Sequence, residues 1–185
     1  MIIMLLTGII FYFLISNQDQ TLVTNTIKNF FSEIKKGDNL NYSSSLINSL
    51  ITNTGYILLI WLLGISVIGL PIIITMISYK CFIVGFSICS IISTYGFKGI
   101  IGSMTYTMPH QLIYLFILML LGFYAINFSV RLFNYLFLKK YINFKDIMTR
   151  YTKILLICVI GSVLLSLFET FISTYFIKLF TLLIK

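Results

Sequence analysis

From Thr54 to Tyr79 the chain reads TGYILLIWLLGISVIGLPIIITMISY, without one charged residue. About 20 apolar residues suffice for a helix to cross a membrane, so this run is long enough to span. Gly64, Gly69 and Pro71 interrupt it. A proline inside a helix removes a backbone hydrogen bond and kinks the axis, and in lipid the freed carbonyl must find a partner in protein or water. The run is therefore expected either to pack inside a helical bundle or to form a broken helix of the kind that lines transporter sites. No acidic residue lies near the break to bind a cation, which favours packing.

Four more apolar runs flank this one: Met1 to Ser16, Cys81 to about Tyr95, about Gln111 to Val130, and Ile154 to about Phe176. Of the 185 residues, 59% are hydrophobic and only 10% charged, with a mean hydropathy of +1.02. A soluble domain carries about 25% charged residues, so water is not the main solvent for this surface. The fold class is an all-α polytopic membrane bundle with about five transmembrane helices. Residues 1–185 form a single membrane domain, with no room for a separate soluble catalytic domain. The first run lacks a signal peptide's charged leader and cleavage site, and reads as a retained helix whose leader is missing or very short. Gly85 and Cys89 give a small-residue face for close helix contact. The Gly-rich stretch from Gly96 to Pro109 is apolar enough to stay at membrane depth as a re-entrant piece.

Two polar segments set the topology. Between Arg131 and Lys153 there are six basic residues and one acid, Asp146, so this connection is expected in the cytoplasm by the positive-inside rule. The segment from Asn17 to Asn53 then lies outside. Within it Leu22, Ile27, Phe30, Phe31 and Ile34 recur at helical spacing, an amphipathic helix that Gly37 ends. Ser43, Ser44 and Ser45 offer N-caps for a second short helix carrying Leu46, Ile47, Leu50 and Ile51. Both helices either lie on the membrane surface or form a docking surface for a partner, with Phe30, Phe31 and Ile34 as its anchors.

Net charge is +8, but the bases sit beside apolar runs, where they orient helices and meet anionic headgroups rather than nucleic acid. Cys81, Cys89 and Cys158 fall inside apolar runs and read as small buried hydrophobes. Catalytic chemistry has few candidates. His110 is the only histidine, so a zinc site of the H-E-x-x-H type lacks its ligands. Gly64-Ile65-Ser66-Val67 lacks the glycine expected after an intramembrane serine nucleophile. No two carboxylates share a span, and there is no phosphate-binding glycine loop. No catalytic residue, metal or cofactor is therefore expected. Glu169 interrupts the last run, and an intramembrane carboxylate is a functional hypothesis by default. It is either a structural partner of nearby polar groups or a proton relay. His110, after Pro109 at a helix start, reads as a capping or interfacial hydrogen-bonding group.

Several strings together resemble one family. WLLGISVIGLPIII (Trp61–Ile74), KCFIVGFSI (Lys80–Ile88), the Tyr-Gly-Phe-Lys-Gly loop, MPHQLI (Met108–Ile113), FSVRLF (Phe128–Phe133), RYTKILL (Arg150–Leu156) and SLFETFIS (Ser166–Ser173) are similar to the stage II sporulation protein M family of endospore-forming bacteria, as is NFFSEIKKG (Asn29–Gly37). The resemblance implies a multi-pass protein of the mother-cell membrane at the sporulation septum. It implies a non-enzymatic anchor for engulfment that recruits stage II sporulation proteins P and D, which carry peptidoglycan amidase and lytic transglycosylase activities. Some relatives in the wider family are linked to transport, so the alternative is a transporter component using the Gly64–Pro71 break.

Overall fold

Proline is tolerated in the first turn of a helix, where its missing N–H has no intrahelical acceptor to lose. Both prolines of this chain occupy such positions. The computed structural model describes residues 2–36, 42–104, 108–138 and 144–170, with backbone alone at Phe30 and at 33–36, 42–45 and 136–138. Among the described residues there are seven helices and no strand: α1 (Ile2–Leu14), α2 (Asn17–Lys36), α3 (Tyr42–Ile65), α4 (Gly69–Tyr95), α5 (Phe97–Gly102), α6 (Met108–Leu138) and α7 (Phe144–Phe168).

The run from Thr54 to Tyr79 is not one kinked span. It divides into the end of α3 and the start of α4, and the chain reverses between them at residues 66–68. The Ser66 N–H donates to the Leu63 carbonyl at 3.0 Å, and the Gly69 N–H donates to the Ser66 carbonyl at 3.1 Å. Pro71 lies in the first turn of α4, and its carbonyl accepts the Thr75 hydroxyl at 2.8 Å. Gly69 is required by the reversal, because a Cβ there would run into the Leu63 carbonyl. A helical hairpin thus replaces the expected kinked or broken helix.

Other boundaries move for the same reason, that apolar runs mark helices without marking their ends. α3 begins at Tyr42 and continues unbroken to Ile65, so the short helix expected after Ser43–Ser45 is the start of a span. Of the segment 17–53 expected outside, residues 17–36 form α2 and residues from Tyr42 onward belong to α3. Lys80, expected at the boundary of two runs, lies inside α4. Arg131 does not end the fourth span, since α6 runs on to Leu138. Gly37, residues 139–143 and the tail from Phe171, with Lys178 and Lys185, lie outside the described residues.

Among the described residues four helices are long and apolar enough to cross a membrane, Leu46–Ile65, Gly69–Tyr95, Met108–Tyr135 and Phe144–Phe168, or five with α1 and α2 taken as one bent span. α1 has 13 residues, a rise of about 20 Å, short of the hydrocarbon thickness of about 30 Å. The chain bends by 110° between α1 and α2. Ser16 caps the new helix: its hydroxyl accepts the Asp19 N–H at 3.2 Å and donates to the Asp19 carboxylate at 2.7 Å.

α3, α6 and α7 pack on one another, α4 packs on α3 and α6, and α1 and α2 pack on α4. Ile57, Ile60, Leu118, Leu121 and Ala125 are fully buried between the spans, whereas Phe116, Ile157 and Leu164 are more than half exposed. Small polar residues go inside as well: Ser129 and Ser162 are fully buried. Apolar residues outside and small residues between helices are the pattern of a bundle solvated by lipid. At one end, which carries Arg131, Lys145, Arg150 and Lys153, the α3–α4 reversal is tied down from two sides. The Ser129 hydroxyl donates to the Ser66 carbonyl at 3.1 Å, and the Tyr151 hydroxyl donates to the Trp61 carbonyl at 2.9 Å. The opposite, far end holds α2, α5 and the starts of α3 and α6.

α1 meets α4 through glycines. A Cβ on Gly85 would strike the Leu5 carbonyl, and one on Gly8 the Phe82 carbonyl. In lipid such backbone approach supplies the van der Waals contact that hydrophobic burial supplies in water. Gly85→Leu should therefore cost about 1–3 kcal/mol, the usual range for overpacking, and lower both the melting temperature in detergent and the membrane level. Gly55→Leu, where a Cβ meets nothing within 4 Å, is the control and should be silent. Equal behaviour of the two variants would contradict the packing of α1 on α4.

Candidate functional site

Lipid offers no hydrogen bonds, so polar side chains inside the bundle must find one another. Several do so along one seam, between the first half of α3 and the end of α7. The Thr54 and Ser162 hydroxyls lie 3.3 Å apart. One turn farther out, the Asn53 amide donates to the Ser166 hydroxyl at 3.2 Å and to the Ser49 hydroxyl at 3.2 Å. Ser49 in turn donates to the Glu169 carboxylate at 2.5 Å. On the other side of α3, the Tyr114 hydroxyl of α6 donates to the Asn53 carbonyl at 2.9 Å. Ser49 and Asn53, four apart in α3 with Thr54 next to Asn53, face Ser162, Ser166 and Glu169, four and three apart along the other side of the ladder, because that spacing lines one helix face.

Glu169 has a second neighbour. Its other carboxylate oxygen lies 3.7 Å from His110 Nε2, an ion-pair distance rather than a hydrogen bond. His110 is buried, at 6% exposure, while the Glu169 side chain is 31% exposed. Pro109 starts α6 so that His110 stands in its first turn, facing the end of α7. The structure thus places the two polar residues singled out in the sequence at one point.

Lys80 was not singled out, yet it belongs to the same system. Its ammonium lies over the Tyr56 ring at 5.2 Å and over the Tyr114 ring at 5.5 Å, and the Tyr114 hydroxyl is the one that reaches the Asn53 carbonyl. Aromatic faces attract a cation most strongly where water is scarce. The signal was present in the sequence: a lone lysine inside a run otherwise long enough for one span. Reading it as a boundary hid it.

The ladder opens into a cavity of about 410 Å³ at the far end. Glu169, directly after α7, lines it together with His110 and Gln111 of α6 and Ser87 and Ser90 of α4, while α2 covers it with Val23, Ile27 and Phe31. Phe31, expected as an exposed partner anchor, is 6% exposed and meets Tyr95 edge-to-face at 5.6 Å. The reason is geometric: the 110° bend lays α2 back over α4, so this face of the helix is used up within the chain. Leu22 is 63% exposed. The side chains of Phe30 and Ile34 lie outside the described residues. Gly64, Gly69 and Pro71 are at the opposite end. There a Cβ on Gly64 would meet the Tyr151 hydroxyl and the Ala125 side chain.

Ser49, Glu169 and His110 are the three residue types of a hydrolytic triad, but in the wrong order. A triad needs the imidazole between serine and acid, so that it can take the serine proton. Here the acid stands between serine and imidazole. Among the described residues no group of three His, Cys, Asp or Glu is placed to hold a metal ion. What the arrangement can do is accept hydrogen bonds at a carboxylate in a cavity that it shares with His110, Gln111, Ser87 and Ser90.

The family model for stage II sporulation protein M matches residues 1–174. No curated protein and no solved structure matches the chain.

Because the half-buried Ser49 hydroxyl donates to the carboxylate, Glu169→Ala should leave that donor unpaired at a cost of about 1–3 kcal/mol. Glu169→Gln keeps an acceptor in place and should lose less than half as much. Thermal unfolding in detergent measures both. Equal losses for Ala and Gln would mean that hydrogen bonding to Glu169 does not hold the seam.

Proposed function

This chain belongs to the stage II sporulation protein M family, and from that premise we propose that it is a non-enzymatic membrane scaffold of the sporulation engulfment complex. Its partners in this reading are the peptidoglycan hydrolases stage II sporulation proteins P and D. It holds them at the septal and then the engulfing mother-cell membrane. The basic end faces the cytoplasm, as the positive-inside rule requires of Arg131, Lys145, Arg150 and Lys153, and the far end faces the wall. The family match and the apolar spans make this a multi-pass membrane protein of a sporulation family.

The observation that supports recruitment is α2. It is a helix of 20 residues, clamped over the bundle at the end opposite the basic cluster. Its inner face, through Phe31, is committed to α4, while Leu22, Asn25, Lys28 and Asn29 are exposed. A rigidly mounted helix with a free face is a suitable recognition element, since little entropy is lost when a partner binds it. Phe30 and Ile34 are the further anchors on this helix in the proposal, and Phe31 is the residue that mounts it. The transport alternative drew on a broken span at Gly64–Pro71, and the hairpin there withdraws that support.

Phe30→Ser combined with Leu22→Ser, with Phe31 retained, should leave the membrane level of the protein unchanged. Co-purification of the two hydrolases from sporulating cells should fall by about tenfold or more, the effect of losing roughly 1.4 kcal/mol or more at an aromatic anchor. Unchanged co-purification would move the contact to the spans or remove recruitment from this chain's role.

A further inference from the structure

At the basic end, α6 and α7 flank a groove of about 330 Å³. Phe128 and Tyr151, stacked at 4.6 Å between ring centres, form its floor, and both are almost fully buried. Ile147 adds to the wall, and Phe123 lies at the deep end, 65% exposed. Arg131 from α6 and Arg150 from α7 also line it, and both are exposed. The acid of this region, Asp146, is not among the lining residues.

The groove is amphiphilic along its length. Phe123 and Arg131 are eight residues apart on one helix, a rise of about 12 Å. A ligand filling the groove therefore meets guanidinium groups at its outer end and aromatic rings a headgroup's length deeper in the membrane. Two arginines from different helices present planar forks suited to a phosphate, and charge complementarity requires an anion. Free phosphate would satisfy the arginines and leave the aromatic length empty. Basic pockets between spans on the cytoplasmic side are a recurrent way of holding anionic lipid headgroups. We infer that this groove is a binding site for an anionic phospholipid, with its phosphate on Arg131 and Arg150 and its acyl chain along Phe123. Because α6 and α7 both contribute, the lipid bridges the two helices whose far ends carry His110 and Glu169.

The test uses the full chain in bilayers of mixed phosphatidylglycerol and phosphatidylcholine, extracted into mild detergent, with retained lipid read by mass spectrometry. Phosphatidylglycerol should be retained in preference to phosphatidylcholine. Each of Arg131→Gln and Arg150→Gln should lower that retention about fivefold, the worth of one basic residue at an anionic surface. Phe123→Ala, an exposed position that should not disturb folding, should lower it as well. Lys153→Gln removes the same charge from outside the groove and should change nothing. Equal retention of the two lipids would overturn the proposal, as would a Lys153→Gln loss matching that of the arginines, which would indicate diffuse surface charge. Inorganic phosphate alone raising the melting temperature as much as phosphatidylglycerol would also overturn it, since the site would then take a phosphate group without a lipid.

Discussion

A carboxylate, an amide and a row of hydroxyls have to be satisfied inside lipid, and the seam between α3 and α7 is where this happens. An interhelical hydrogen bond in a bilayer contributes only about 0.6 kcal/mol on average, so the ladder is not the main source of cohesion. Its importance is in register. A shift of α7 by one turn would take the Glu169 carboxylate off the Ser49 hydroxyl, and a carboxylate left unpaired would cost more than its bond had contributed. Packing of Ile57, Leu118, Leu121 and their neighbours can tolerate several offsets. The polar ladder tolerates one. His110, Tyr114 and Lys80 are positioned by reference to it, and the far-end cavity takes its shape from it.

The two ends of the bundle then differ in kind. At the basic end the α3–α4 reversal is bound to α6 by Ser129 and to α7 by Tyr151, and the surrounding rings are stacked. At the far end the helices separate around a cavity, and α2 covers it with a single line of apolar residues. The proposed scaffold role would use this asymmetry, with a fixed base and a recognition helix mounted over the far end. No chemical step is needed for that role, and the acid placed between serine and imidazole does not supply a relay for one.

Much of this was legible in the sequence. The helical membrane class followed from a low content of charge, and α2 followed from apolar residues at helical spacing between Leu22 and Ile34. Glu169 and His110 were marked because polar groups in spans are costly. The divisions were harder. Gly69-Leu-Pro71 reads equally as a kink or as a helix start, and the difference lies in whether the Leu63 and Ser66 carbonyls are taken up in a turn, which hydropathy does not encode. The ladder pairs residues more than 100 positions apart, and no periodicity within one helix reveals it. Phe31 was assigned to the outside because amphipathicity shows that a helix has an apolar face without showing what covers it. The 110° bend at Ser16 supplied the cover from within the chain.

The register of α3 against α7 is the claim on which the site, the cavity and the position of α2 all depend. With Cys81, Cys89 and Cys158 replaced by serine, Thr54→Cys and Ser162→Cys place two thiols where the native hydroxyls lie 3.3 Å apart, close enough for a disulfide to form with little backbone movement. Mild oxidation in intact membranes should link the pair within one chain in high yield, while Thr54→Cys with Leu164→Cys, which faces lipid, should stay reduced. Failure of the first pair to link, or equal linking of both, would contradict the register and the site built on it.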